Sequence, residues 1–371
     1  MAGDEAARSG PRPRNGRVSS TPRSDRRRTV LVALVPTAAF IAMTMIRIVR
    51  QPRLDFNETM FLDVGRQIVA TGLPYRTFAL PSPALFFDHT PLYVYFVAAV
   101  TALGGPTAVL LRSTTWVLGL LTVLLVFRIA LDGRGLGSAF VAAMLVALNP
   151  FFAKYSWFVR MEVPFCFFLV LALYLLMTHR WLLSGLAIAV AVMLKEVALA
   201  FWLVAVLYAA WRGGARAAVR VAIPAPVAFV VWLAYAASIG YDQLIATMDR
   251  WFGSAVGMDI SDHRLRIGPL RWARTVLADM VGPLLIFASG ACAALALTMR
   301  RPIPRLTIVP IAYVAIAVAA SFAIKLKEPR FLIAIIPMTA IAIGLLVDWT
   351  AVWSDLRRVA TTDRPHFADD A

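Results

Sequence analysis

Charge is scarce in this sequence. Of its 371 residues only 16% are Asp, Glu, Lys or Arg, while 60% are hydrophobic and the mean hydropathy is +0.74. Ordinary soluble domains carry about 25% charged residues, so a soluble enzyme is excluded. Cysteine is nearly missing. Cys166 and Cys292 both lie inside apolar runs, which supports neither a disulfide framework nor a cysteine metal site. None of the histidines (His89, His179, His263 and His366) stands in a zinc-ligand spacing, and no Walker loop or glycine-rich nucleotide fingerprint is present. A serine triad has no support either, so the energy for any reaction comes from the substrate or from a gradient. Lysine is confined to positions 154, 195, 325 and 327; the other basic residues are arginines. A GC-rich genome gives that bias, and arginine number alone marks no site.

What the chain has instead is long apolar runs. A helix of about 20 apolar residues spans a bilayer. Such runs, some shorter than this, occupy positions 29–49, 91–105, 108–131, 135–156, 163–178, 182–195, 197–212, 218–239, 276–298, 306–325 and 331–350. The chain reads as an all-α polytopic membrane protein of about 10–11 transmembrane helices. Its formal charge of +16 would suggest nucleic acid in a soluble protein, but in a membrane protein basic residues collect in cytoplasmic loops. No nucleic-acid partner is expected.

Residues 1–28, rich in Arg, Ser, Pro and Gly, read as a disordered basic cytoplasmic tail. The transmembrane domain follows over 29–351, with polar segments at 50–90 and 240–275, and 352–371 form a second cytoplasmic tail. Basic clusters at 26–28, Arg128/Arg134, 212–220, 300–305 and 357–358 should all face the cytoplasm. They do so if the short run 91–105, bounded by Pro91 and by Gly104-Gly105-Pro106, lies at the interface or crosses halfway. The same parity puts 50–90, Arg160/Glu162, Lys195/Glu196, 240–275 and 325–330 together on the outer face.

Those outer segments hold the residues able to do chemistry. Asn57-Glu58 opens an amphipathic helical stretch, with Phe56, Met60, Phe61, Val64 and Ile68 at helical spacing and Gly72 and Pro74 as its stop. Tyr75 and Asp88-His89 add polar and aromatic groups to the same surface. Arg160 and Glu162 precede a fresh apolar run, either as an interfacial pair or as groups that activate a hydroxyl or hold a divalent cation. Lys195-Glu196 interrupts two apolar runs, where ionisable residues usually have a partner or a task. Lys325, Lys327 and Arg330 set three cations on the outer face against the positive-inside tendency, and binding an anionic phosphate explains them.

Taken in order, these pieces resemble the GT-C superfamily of integral-membrane glycosyltransferases, in particular the protein O-mannosyltransferase and lipid A aminoarabinose transferase group. The matching residues are Asn57-Glu58, Gly72-Leu73-Pro74-Tyr75, Thr90-Pro91-Leu92-Tyr93, Arg160-Met161-Glu162, Gly185 through Lys195-Glu196, and Lys327-Glu328-Pro329-Arg330-Phe331 with Pro337. They run through about residues 30–350.

The resemblance implies a GT-C-like helical bundle with interfacial helices in the first outer loop. It implies transfer of a hexose or pentose from a polyprenyl-phosphate donor to a cell-envelope acceptor on the outer face of the plasma membrane. It also implies an acidic base in the first outer loop. The family's Asp-Glu pair falls on Asn57-Glu58, which puts the base on Glu58 and leaves Asp55 as second candidate. The second acidic site falls on Glu162, and Lys195 and Arg330 map near the lipid phosphate. Arg160, Tyr75, His89 and Lys327 complete the expected substrate contacts, and a divalent cation (Mg or Mn) is left open. Two alternatives stand beside this reading: a polyprenyl-lipid flippase or transporter, and an inactive GT-C-like assembly subunit. A transporter should show inverted repeats and mid-membrane charges, and neither is evident here.

Overall fold

The computed structural model describes residues 23–50, 53–105, 107–256, 269–282, 286, 288–290, 303–323, 329–349, 352 and 354. The expectations for Lys325 and Lys327, for the two tails apart from a few residues, and for positions 257–268 lie outside the described residues. Within them the chain is helical apart from one two-stranded hairpin, as an all-α polytopic membrane protein should be.

A long first helix, α1 (Arg23–Arg50), is followed by α2 (Phe56–Thr71), the hairpin strands β1 (Tyr75–Arg76) and β2 (Ala84–Leu85), and α3 (Leu92–Gly104). Then come α4 (Ala108–Arg134), α5 (Leu136–Ala147), α6 (Pro150–Tyr155), α7 (Glu162–Met177) and α8 (Trp181–Leu194). A short 3-10 turn over Glu196–Ala198 leads into α9 (Leu199–Ala222) and α10 (Pro224–Val256). After α11 (Pro269–Arg274) and a π-helical turn over Thr275–Val281, the described chain closes with α12 (Ile308–Ala323), a 3-10 turn at Pro329–Leu332, and α13 (Ile335–Leu346).

Among the described residues, four helical stretches are long and apolar enough to cross a bilayer: Arg26–Met45, Ala108–Arg134, the stretch Glu196–Asp249 and Arg305–Phe322. The remaining apolar helices are shorter, α3 among them with 13 residues, well under the length that spans unaided. The run 135–156, expected as one span, is two helices. Asn149 caps α6 through its side chain, which accepts from the Phe151 and Phe152 amides, and Pro150 takes the first turn where no N–H is needed.

The core lies where α4, α5, α7, α8 and α13 meet. Val163, Phe165, Leu169, Val170, Leu173 and Leu176 of α7 are fully buried, as are Ala139, Ala142, Ala143 and Ala147 of α5. Helices in lipid gain little from expelling water, so close packing of small residues and interhelical hydrogen bonds hold them together. The bonds are present: Trp116 Nε1 donates to Thr44 Oγ1 between α4 and α1 at 2.9 Å, and Ser138 Oγ donates to the Val347 carbonyl at 3.0 Å.

Segment 240–275, expected as an outer loop, is helical over its first half, since α10 continues to Val256. The helix breaks at Gly240 (φ −175°, ψ 66°). A Cβ there would lie 2.3 Å from Leu85 Cδ1, so a larger residue would push the tip of that side chain aside. The Leu85 amide also donates to Gln243 Oε1 at 3.1 Å.

Candidate active site

Antiparallel helices joined by a short turn bring the start of one beside the end of the next. Glu162 is the first residue of α7 and Lys195 follows the last of α8, and the two meet in the buried interior, Lys195 Nζ standing 3.4 Å from Glu162 Oε1. Arg330, on the 3-10 turn before α13, reaches the same oxygen at 3.8 Å. Lys195 and Glu162 are only 1% and 3% exposed, and Arg330 is 19% exposed. Glu162 Oε2 is buried without a hydrogen-bond partner among the described residues. Two cations on one carboxylate make a site with surplus positive charge.

The loop ahead of α3 closes one side. Thr90 Oγ1 donates to the Val192 carbonyl at 3.1 Å, which ties this loop to the end of α8. Asp88 pairs with Arg76 of the hairpin at 3.7 Å. His89, packed among Phe61 and Phe86, is pushed down to about 3: burial disfavours its charged form first, and Lys195 and Arg330 add to that against the opposing pull of Glu162. At neutral pH it is therefore a neutral imidazole.

The other side is built by the amino-terminal turn of α2. Asp55 is its cap: its Oδ1 accepts the Glu58 amide at 2.8 Å, while Glu58 Oε2 accepts the Asp55 amide at 3.1 Å, a reciprocal capping box. Glu58 is fully buried and doubly bound by Arg112 of α4, through Nε at 2.8 Å and Nη2 at 2.6 Å. Its Oε1 also accepts the Val159 amide at 2.9 Å. One residue on, Arg160 is ion-paired with Asp55 and stacks at 5.5 Å over both Tyr155 and Phe158. Burial alone would lower the Arg160 pKa, but the Glu162 and Asp55 carboxylates and Tyr155 outweigh it and hold the guanidinium above its ordinary value.

Of the residues singled out from the sequence, Arg160, Glu162, Lys195, Arg330 and His89 thus form one electrostatic cluster, which Asp55 joins through Arg160. Asn57 is half-buried on the first turn of α2, and Tyr75 stands on β1 opposite Leu85. Arg112 was not anticipated, although an arginine near the start of the apolar run after Pro106 was a visible signal.

Beside His89 opens a cavity of about 300 Å³. Phe87, Leu199, Phe229, Trp232, Leu244 and Met248 make it apolar, and Asp88, His89, Thr90 and Glu196 stand on its polar side. Among the described residues no group of three or more His, Cys, Asp or Glu side chains gathers as a metal site. The two carboxylates nearest the centre are already neutralised, Glu162 by Lys195 and Arg330, and Asp55 by Arg160. That donor set does not fit a tightly held divalent cation.

Comparison with known proteins agrees with this architecture. Residues 88–241 match the family described as dolichyl-phosphate-mannose-protein mannosyltransferase. Among solved structures, ArnT from Cupriavidus metallidurans bound to undecaprenyl phosphate superposes with a TM-score of 0.63 at 17% identity, over 91% of this chain and 64% of that one. The archaeal oligosaccharyltransferase AglB from Archaeoglobus fulgidus, in complex with an inhibitory peptide and a dolichol-phosphate, gives 0.54 at 14% identity, over 94% and 53%. The chain therefore spans somewhat under two thirds of the length of the ArnT it matches. No curated protein sequence matches it. The fold defines a polytopic membrane protein of the GT-C type. The likeness to ArnT and AglB is one of fold, and the family match covers residues 88–241.

Proposed function

We propose that this protein transfers a sugar from a polyprenyl-phosphate donor to a hydroxyl of a cell-envelope acceptor, at the outer face of the plasma membrane, with both termini cytoplasmic. The observation that carries the reading is the junction of Asp55–Arg160 with Glu162–Lys195–Arg330 beside an apolar cavity. Lys195 and Arg330 hold the donor phosphate by charge-assisted hydrogen bonds, displacing part of their contact with Glu162. The first isoprenoid units lie in the cavity against Phe229 and Trp232. Neutral His89, between cavity and cations, can meet the phosphate without adding a charge of its own.

Asp55 is the base in this reading. Its side chain is 31% exposed, whereas the acceptor sites of Glu58 are filled by Arg112 and two amides in a place water does not reach. Asp55 takes the acceptor proton and the acceptor oxygen bonds to the anomeric carbon. The bond from that carbon to the phosphate oxygen breaks, and its electron pair stays on the phosphate. Lys195 and Arg330 are already aimed at the growing negative charge, which is how preorganised electrostatics lower a barrier. No nucleotide or metal step is required.

The test is incubation of the purified protein in lipid nanodiscs with a radiolabelled polyprenyl-phosphate sugar and an extract of envelope acceptors. Labelled acceptor supports the reading. Lipid translocation in vesicles without any transfer replaces it with a flippase.

A further inference from the structure

We infer that Arg112, acting through Glu58, is a positioning residue for sugar transfer: the buried pair sets the distance between Asp55 and the loop that carries Arg160. This rests on the reading above, in which Asp55 is the base. The Glu58 carboxylate joins three separate segments. It receives the Arg112 guanidinium from α4, the Val159 amide from the loop before α7, and the Asp55 amide from the cap of α2. Arg112 adds a bond from Nη2 to the Arg53 carbonyl at 3.0 Å and packs 5.9 Å over Trp157. It therefore grips the chain on both sides of the Asp55–Arg160 pair.

Such a pair is walled off from any substrate. Glu58 is fully buried and Arg112 4% exposed, and a bidentate guanidinium is a fixed planar template rather than a mobile charge. What the pair can do is transmit position. Asp55 is held by the capping box that Glu58 completes, and Arg160 sits one residue beyond the amide that Glu58 holds. Lys195, Arg330 and the cavity belong to other elements and make none of these bonds, so the donor end of the site should be insensitive to the pair.

Arg112→Lys keeps the charge and loses the fork; Glu58→Gln keeps the shape and loses the charge, and it carries the test if the lysine variant fails to fold. Both are compared with the wild type in nanodiscs for kcat, donor KM, the pH profile of kcat, and amide hydrogen exchange over residues 156–161. We expect kcat to fall roughly a hundredfold, the usual penalty for a misplacement of about 1 Å. Donor KM should stay unchanged, the acidic limb of the pH profile should persist in Glu58→Gln, and the Val159 and Arg160 amides should exchange faster.

Unchanged kcat, a donor KM that rises in step, or unchanged exchange overturns the inference. So does disappearance of the acidic limb in Glu58→Gln, which would make Glu58 the base. If the wild type transfers no sugar from any polyprenyl-phosphate donor, the functional reading fails by itself, and the exchange measurement alone then decides whether the pair holds the loop.

Discussion

Replacing His89 with glutamine should remove an acid-sensitive weakness. Burial, reinforced by Lys195 and Arg330, pushes His89 down to about 3 in the folded protein, whereas in an unfolded chain it titrates near 6.5. Between those values the unfolded state binds a proton that the folded state refuses, so stability falls as pH falls through this window and levels off below it. At pH 4.5, about two units into the window, the loss from this group is roughly 2.7 kcal/mol, at 1.36 kcal/mol per unit. Glutamine has nothing to titrate. Unfolding of the wild type and His89→Gln in one detergent at pH 7.5 and pH 4.5 isolates the effect, because the carboxylates titrate alike in both and cancel in the difference. The wild type should lose about 2 to 3 kcal/mol more than the variant. Equal losses would refute a buried neutral imidazole under the influence of the two cations. Lys195→Met offers a check on the cause: with one cation gone the His89 value climbs back, and the acid loss of that variant shrinks.

Asp55→Asn should abolish transfer while leaving donor KM near the wild-type value, which steady-state kinetics with varied donor would show. Lys195→Met and Arg330→Gln should each weaken donor binding by roughly tenfold to a hundredfold, the worth of one hydrogen bond to a charged group, read as the concentration of polyprenyl phosphate that displaces a labelled donor. Leu244→Trp, which pushes a larger ring into the cavity, should raise KM severalfold for long-chain polyprenyl donors. It should change KM much less for a donor whose lipid is cut to a single isoprene unit.

Helices were most legible where a run was long and unbroken, as at 108–131 and 306–325, because length and hydropathy are properties of one segment alone. They were least legible where a break or a polar surface intervened. The Asn149-Pro150 step splits α5 from α6 with an ordinary cap, a signal that a hydropathy window averages away. Beyond Gly240, the helix carries Asp242, Gln243 and Asp249, and these made the segment look like a solvated loop. Its apolar residues Leu244 and Met248 nonetheless stand one helical turn apart and both face the cavity.

The site shows the same division at the level of single side chains. Glu162, Lys195 and Arg330 stood out because a charge amid apolar runs is conspicuous wherever its partner lies, and the fold supplied the partners across 33 residues and more. Arg112 was not singled out, but a related test on the sequence would have found it. The parity expected from the basic clusters, with 50–90 outside, would also bring α4 in from the outer side, where the positive-inside tendency gives an arginine no reason to be. Its neighbour in space, Glu58, could not be assigned in that way. Residue type and motif position made it the natural base, yet a carboxylate acts as a base only through a lone pair that a substrate can reach. Whether such a lone pair exists depends on donors from three segments up to 101 residues away. Asp55 and Glu58 differ in nothing that a sequence records about acidity; they differ in that one faces an arginine at the rim and the other is surrounded.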